Sequence, residues 1–298
     1  MLNASASEPL RKVSSARHWR KTLRHECIAE FIGTAVIIVF GCGVVAASAK
    51  NVSPSLPLAD TFGKMLYINT GWGLAVTFGI MASFDTSGAH LNSAVTLNAV
   101  ANGSFPLRKG ICFMMAQLSG AFFGAVLVTL NFVTFKGESA LENFYCTHPA
   151  EGVSIANAAL NEFLATFLLQ FSILGITNHH PAFNKFHVAG FVGALVFAIG
   201  AVFGPLTGYA INPARDLGPR LCWLLVAACY GESGLWDKVM MDGYFLVPIF
   251  MPCLGAVLAG AAYRTAIYVD DGEQADEAWA MEHLGDTSGP EDDEDEMS

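Results

Sequence analysis

Charge is scarce in this sequence. Only 14% of its 298 residues are charged and 53% are apolar, whereas soluble domains carry about 25% charged residues. Lys and Arg are missing after Arg264, although thirteen acidic residues lie between Asp270 and Glu296. The shortage of charge excludes an ordinary soluble domain and indicates a surface that faces lipid. The acidic segment 267–298 has no apolar periodicity and is predicted to be a disordered tail.

Motifs for ligands and catalysis are missing as well. The sequence has no CxxC pair, no Cys/His spacing typical of zinc, no phosphate loop and no nucleophile–base pair. Basic residues are few and no aromatic–basic groove motif is present, which argues against nucleic acid as a partner. We therefore expect no cofactor, no metal site, no nucleic-acid partner and no enzymatic activity.

Long apolar runs are what the sequence does contain. Each is close to the roughly 20 residues that a helical membrane span requires. They lie at about 26–48, 64–83, 108–134, 157–178, 187–206 and 244–266. Two shorter apolar stretches, 86–101 and 207–225, are interrupted by Gly, Asn, Ser and Pro and are too short to cross a bilayer. The first run is too long for a signal peptide and is expected to remain as a membrane helix.

The distribution of Lys and Arg predicts the orientation in the membrane. With both termini inside, the cytoplasmic segments hold six N-terminal bases and four more, while the outer segments hold four lysines. We expect a multi-pass protein of the plasma membrane with both termini cytoplasmic. Asn51, in an Asn-Val-Ser sequon, would then lie outside as a candidate glycosylation site.

An internal repeat relates the two halves of the chain. Glu30-Phe-Ile-Gly-Thr34 recurs as Glu162-Phe-Leu-Ala-Thr166, and Gly88-Ala-His-Leu-Asn92-Ser-Ala94 recurs as Gly208-Tyr-Ala-Ile-Asn212-Pro-Ala214. Each copy holds three spans, an odd number, so the second copy must insert upside down. Short, interrupted segments at matching places of inverted repeats indicate a site built from half-helices near the bilayer centre. The predicted domains are a basic tail at 1–25, a membrane domain at 26–266 with repeats at about 26–134 and 157–266, and the acidic tail at 267–298.

The repeated asparagines are suited to begin the two half-helices. Asn is a preferred N-cap residue, and Pro213 then occupies the first helical position, where its missing N–H costs nothing. Ser93 takes that position in the first copy, and Ala94 and Ala214 follow. Two helix N-termini that face each other repel cations, because each carries about half a positive charge. This arrangement predicts a pore for neutral, hydrogen-bonding solutes.

The chain resembles the major intrinsic protein (aquaporin) family over about 25–266. The likeness is greatest at Gly88–Thr96 and at Gly204–Asp216. It implies an all-α membrane protein of six transmembrane helices and two re-entrant half-helices in an inverted 3+3 repeat. It also implies a homotetramer in the lipid bilayer with one pore in each subunit. Asn-Ser-Ala at Asn92 departs from the Asn-Pro-Ala of the family.

The resemblance also implies a selectivity filter and a solute. The four filter positions fall on Trp72, Gly200, Tyr209 and Arg215, where two aromatic rings suit a carbon backbone and the guanidinium donates to hydroxyls. The residues similar to the glycerol-facilitating branch are Asp216, Arg220, Pro248 and Ile249. The resemblance therefore implies an aquaglyceroporin that passes glycerol and water, with urea and other small neutral solutes as further candidates.

Two alternatives stay open at this point. The first is a water-selective aquaporin, against which Gly200 and Asp216 count. The second is a proton-coupled transporter that uses Glu30 and Glu162, because acids within membrane segments often mark proton relays. Their symmetric placement favours a structural role, in which each acid binds the loop that enters a half-helix.

Overall fold

The structure of the protein is a computed structural model that describes residues 22–48, 61–132, 144–178, 184–229 and 234–267. The helices in these ranges are α1 (Leu23–Ala47), α2 (Thr61–Ser87), α3 (Ser93–Ala101), α4 (Leu107–Phe132), α5 (Ile155–Asn178), α6 (Lys185–Thr207), α7 (Pro213–Cys229), α8 (Leu235–Met240) and α9 (Val247–Ala266). A 3-10 turn at Met241–Leu246 leads into α9. Asn51 and both predicted tails lie outside the described residues.

The helices confirm the predicted fold class. Among the described residues, six helices are long and apolar enough to cross a membrane, namely α1, α2, α4, α5, α6 and α9 with its preceding turn. The same part of the chain contains no β-strand. The two short stretches fold as α3 and α7, which the sequence predicted as half-helices. The protein is a multi-pass integral membrane protein.

The helices pack as two interlocked repeats. Helix α1 packs on α2 and α4, α5 packs on α6 and α9, and α2 packs on α6 to join the two halves. Each half-helix also packs on the last long helix of the other repeat, α3 on α9 and α7 on α4. Because of this exchange, the ends of α3 and α7 meet in the middle of the molecule.

Glycine allows the closest helix crossings. A Cβ atom at Gly120 of α4 would collide with the carbonyl oxygen of Phe31 in α1, and one at Gly255 of α9 would lie 2.5 Å from the carbonyl oxygen of Phe163 in α5. Small residues commonly permit such contacts between membrane helices. Because Gly120 contacts Phe31 and Gly255 contacts the repeat-related Phe163, Gly120 of α4 and Gly255 of α9 occupy equivalent positions in the two repeats.

Polar contacts show which helix ends share a face. Lys109 at the start of α4 lies 2.7 Å from Glu26 at the start of α1, and Arg264 near the end of α9 donates to the carbonyl of Asn102, just after α3, at 3.0 Å. We call this side, where the described chain begins and ends, the terminal face. The other side is the opposite face.

Candidate functional site

The loops that precede the two half-helices have the same unusual backbone. Ala89 and Leu91 have φ angles of 56° and 49°, and the repeat-related Tyr209 and Ile211 have φ angles of 41° and 46°. Positive φ is uncommon outside glycine, and such strain persists only where the surrounding structure enforces it. The repetition of this strain in both copies indicates that the loops are held in position by their surroundings.

A buried glutamate holds the first loop. Glu30 accepts hydrogen bonds from the backbone N–H of His90 at 3.0 Å and of Leu91 at 2.7 Å. It also accepts from the Ser87 hydroxyl and, at 2.8 Å, from the Gln117 amide. Its side chain is fully buried. These contacts occupy both carboxylate oxygens with donors from α2, the loop and α4.

The second loop is held in the same manner. Glu162 accepts from the backbone N–H of Ala210 and of Ile211, each at 2.9 Å, and from the Thr207 hydroxyl at 2.6 Å. Glu162 is also fully buried. Both acids therefore bind the strained loops, and neither is among the residues that line the central cavity.

The two asparagines join the half-helices end to end. The Nδ2 of Asn92 donates to the carbonyl of Ile211 and the Nδ2 of Asn212 donates to the carbonyl of Leu91, each at 2.8 Å. Their Oδ1 atoms accept from the N–H of Ala94 at 2.9 Å and of Ala214 at 3.0 Å. Each amide nitrogen has two N–H donors, so one on each asparagine remains available at the junction.

A cavity of about 530 Å³ runs beside this junction. At one end it is lined by Trp72, Tyr209 and Arg215, in the middle by the loop 88–92 and Asn212, and at the terminal face by Asn102 and Arg264. The wall formed by α5 and α6 is mostly apolar, and its lining residues include Leu169, Ile173, Leu174, Val188, Val192 and Val196. The cavity therefore extends from the corner at Arg215 to the terminal face, and its polarity differs from one side to the other.

Three of the four predicted filter residues meet at one end of the cavity. The Arg215 guanidinium carbon lies 4.1 Å from the centre of the Trp72 ring, and the Trp72 and Tyr209 rings are 6.5 Å apart with their planes at 72°. No side-chain hydrogen bond or ion pair joins the Arg215 guanidinium to another described residue, and the side chain is 7% exposed. Its donors are therefore available to a molecule in the cavity.

Gly200 lies behind this corner. A Cβ atom at Gly200 would lie 2.7 Å from Cζ of Tyr209 and 2.6 Å from Oδ1 of Asn69. The Tyr209 hydroxyl donates to that same Oδ1 at 2.8 Å, and Asn69 is 2% exposed. Gly200 thus provides the space in which the Tyr209–Asn69 pair is seated. The sequence analysis missed Asn69, although a polar residue one turn before Trp72 in an apolar run was a usable signal.

Comparison with known proteins gives the same architecture. The sequence profile described as "Major intrinsic protein" matches residues 15–263. The chain belongs to the major intrinsic protein family. It is 36% identical over 266 residues to the propanediol uptake facilitator PduF of Citrobacter freundii, covering 83% of this chain and 93% of that protein.

Two further proteins are similar to this chain over most of its length. The chain is 36% identical over 267 residues to the glycerol uptake facilitator protein of Escherichia coli strain K12, covering 83% of this chain and 89% of that protein. The X-ray structure of the aquaglyceroporin from Plasmodium falciparum matches with a TM-score of 0.73 and 33% identity, covering 83% of this chain and 97% of that one.

The residues that resemble the glycerol-facilitating branch of the family lie outside the cavity lining. Asp216 and Arg220 form a fully buried ion pair with an N–O distance of 2.8 Å. Asp216 also accepts from the N–H and hydroxyl of Thr147, and Arg220 donates to the carbonyl of Thr147. The pair therefore binds the segment around Thr147 to α7. Pro248 is buried and Ile249 half-buried in the first turn of α9.

The structure also shows how Ser93 is accommodated in place of the family's proline. Its hydroxyl donates to Oε1 of Gln117 at 3.0 Å, and its N–H points to Oδ1 of Asn212 at 3.4 Å. Gln117 is fully buried and also donates to the Thr96 hydroxyl at 2.9 Å. Sequence reasoning missed Gln117. An amide side chain near the middle of the apolar run of α4 was the available signal.

Proposed function

We propose that this protein is a passive channel for glycerol and water that excludes ions and protons. The observation that carries the proposal is the corner at one end of the cavity. Trp72 and Tyr209 form an apolar wall there, and the Arg215 guanidinium presents donors that no other described residue accepts. The protein is a channel and not an enzyme, in keeping with its family.

The corner matches the two sides of a short polyol. Glycerol has a carbon backbone that packs on aromatic rings and hydroxyls that accept from a guanidinium, whose rigid fork of donors can hold two oxygens. The relatives are named for glycerol and propanediol, which both have a three-carbon chain with hydroxyls. Urea and other small neutral solutes fit the same donors and remain secondary candidates.

Asn69 makes the tyrosine behave as an apolar wall. The Tyr209 hydroxyl is engaged with Oδ1 of Asn69, so it is directed away from the solute and the corner presents the ring. Tyr209 therefore adds no free hydroxyl to the proposed filter. Asn69, Gly200 and Tyr209 act as one unit in the proposed filter.

Ion exclusion rests on two positive features along the path. The N-termini of α3 and α7 face each other at Asn92 and Asn212, and each carries about half a positive charge. Arg215 adds a full charge at the filter. Because the two asparagines each keep an available N–H, a neutral solute can be bound at the junction while a cation is repelled.

The alternatives find less support. In a proton-coupled transporter Glu30 and Glu162 would face the path, but both are fully buried behind the loops with their oxygens occupied by donors. In a water-selective aquaporin a larger side chain would replace Gly200, and here the Tyr209–Asn69 pair fills that space. A passive polyol channel is consistent with both observations.

We further propose a homotetramer in the plasma membrane with both termini cytoplasmic. The terminal face carries Arg108, Lys109, Lys185 and Arg264, whereas Lys64 is the lysine of the opposite face whose side chain the structure describes. More basic residues on one side favour that side as cytoplasmic. The proposed domains remain a basic tail at 1–25, a channel domain at 26–266 and an acidic tail at 267–298.

Stopped-flow light scattering on proteoliposomes tests the proposed function. After a glycerol step, vesicles containing the protein should shrink fast and then swell fast as glycerol enters. Gly200→His displaces Tyr209 and Asn69 and should remove the swelling phase while shrinkage continues. Gly190→His is the matched control, because a Cβ atom at Gly190 of the same helix would meet nothing within 4 Å.

The outcomes separate the candidate functions. Fast shrinkage without swelling in the unmodified protein would assign it to the water-selective class. A current under an imposed proton gradient would support the transporter instead. Loss of swelling in Gly190→His as well would show that the effect of the Gly200 variant is not specific to the filter.

A further inference from the structure

One glutamine interrupts the apolar wall of the cavity. Gln170 lies on α5 and lines the cavity, and its side chain is 2% exposed. Its Oε1 is buried and has no hydrogen-bond partner among the described residues. An unsatisfied buried amide oxygen costs about 1–3 kcal/mol, and polar residues within membrane segments are by default candidates for function.

Gln170 is the third polar residue in a row along one side of α5. The two residues before it in this row have hydrogen-bond partners within the protein, whereas Oε1 of Gln170 has none among the described residues. Glu162 and Thr166 precede it at intervals of four residues, which places all three along one side of the helix. Glu162 holds the loop before α7, and the Thr166 hydroxyl donates to the carbonyl of Glu162 at 2.8 Å. Only the third polar residue of this row is left with an unoccupied oxygen.

The other repeat shows that the fold does not require a polar residue here. In α1 the matching row is Glu30, Thr34 and Ile38. The Thr34 hydroxyl donates to the carbonyl of Glu30 at 2.7 Å, as Thr166 does to Glu162, but the third position is a fully buried isoleucine. Gln170 therefore departs from the internal symmetry at the one position of the row that reaches the cavity.

We infer that Gln170 forms a second subsite for a solute hydroxyl, on the terminal-face side of the junction. Glu162 binds the loop at the junction, and Gln170 follows it by eight residues, or roughly 12 Å along the helix. The carboxamide accepts from the hydroxyl of a small polyol after the solute has passed the asparagines. This inference rests on the proposed function, since it assigns a place to the same solute within the same pore.

Gln170→Met tests the subsite, because methionine has a similar shape and no amide. Its expected effect is a fall in the ratio of glycerol to water permeability in proteoliposomes of about two- to tenfold, the worth of one net hydrogen bond. Gln170→Asn retains the amide, so the ratio of glycerol to water permeability should fall less in this variant. Leu168→Met is the control, because Leu168 is 45% exposed on the outer side of the same helix and does not line the cavity, so this variant should leave the ratio unaltered.

Each outcome decides the inference. A ratio in Gln170→Met equal to that of the unmodified protein, or an equal fall in Leu168→Met, would overturn it and leave the proposed function intact. Absence of glycerol entry in the unmodified protein would overturn both. If Gln170→Met loses water permeability and is therefore misfolded, Gln170→Ile places the residue of the matching position in α1 at the site and gives the same readout.

Discussion

The two half-helix junctions are held by equivalent glutamates, but their first turns are built differently. In the second repeat Pro213 begins α7, and Pro252 of α9 stands three residues before Gly255. In the first repeat Ser93 begins α3, and Gln117 of α4 stands three residues before Gly120. Ser93 donates to Gln117, which also donates to Glu30.

The comparison shows that one backbone arrangement can be stabilised in two ways. A proline at the first helical position presets φ and has no N–H to satisfy. A serine lacks that restraint, and here its hydroxyl binds an amide that also contacts the glutamate behind the loop. The departure from the family motif at Ser93 is thus matched by a polar partner on α4, and the following predictions test that interpretation.

Replacing the glutamates should have the largest effect. Glu162→Leu leaves the N–H groups of Ala210 and Ile211 without acceptors, at about 1–3 kcal/mol for each group. We expect Glu30→Leu to be less destabilising, because Oε1 of Gln117 can turn towards the N–H of Leu91 and accept from it. In the second repeat the residue that matches Gln117 is Pro252, whose side chain has no acceptor for the N–H groups released by Glu162→Leu. The measurement is the thermal unfolding midpoint of both purified variants. A lower midpoint for Glu30→Leu would contradict the comparison.

Replacing the asparagines should have an intermediate effect. Asn92→Ala loses an N-cap, which costs about 0.5–2 kcal/mol. Asn212→Ala should cost more, because its Oδ1 is also approached at 3.4 Å by the N–H of Ser93 and of Arg215. Thermal unfolding gives the order of stability, and the cation leak of proteoliposomes shows whether the junction of the half-helices still excludes ions. Equal midpoints and equal leaks would show that the junction is energetically symmetric.

The smallest expected effect is the coupling between Ser93 and Gln117. Gln117→Leu should destabilise the protein less in a Ser93→Pro background than in the unmodified protein, since the hydroxyl partner is already gone. We expect an interaction energy of about 0.5–1.5 kcal/mol in a double-mutant cycle. The cycle requires the unfolding midpoints of both single variants and the double variant. If the effects of the two substitutions on stability are strictly additive, Gln117 stabilises the protein through Glu30 and not through Ser93.

Most of the architecture could be predicted from sequence because it depends on local patterns. Apolar length predicted the six spans, and the repeated motifs predicted that α3 and α7 would be half-helices. The observed ends differ by a few residues, as for α2, which begins at Thr61 where hydropathy predicted 64. Hydropathy ignores the polar residues that a helix retains beyond the bilayer core.

The residues that sequence reasoning missed depend on contacts between distant helices. Asn69 and Tyr209 are 140 positions apart, and Gln117 and Glu30 are 87 positions apart. A polar residue in an apolar run is visible in the sequence, but its partner is determined by the register of two packed helices. The family resemblance therefore predicted candidate filter positions, and only the folded chain showed which distant residues contact them.

The width of the proposed filter depends on a residue that does not line the cavity. Gly41 of α1 lies directly beneath the Trp72 ring, where a Cβ atom would collide with three ring carbons. Even one methyl group at that position would displace the indole, whose ring centre lies 4.1 Å from the Arg215 guanidinium carbon, and change the shape of this corner. Gly41 is itself buried, so a substitution in this layer behind the lining should change permeability while every lining residue stays the same.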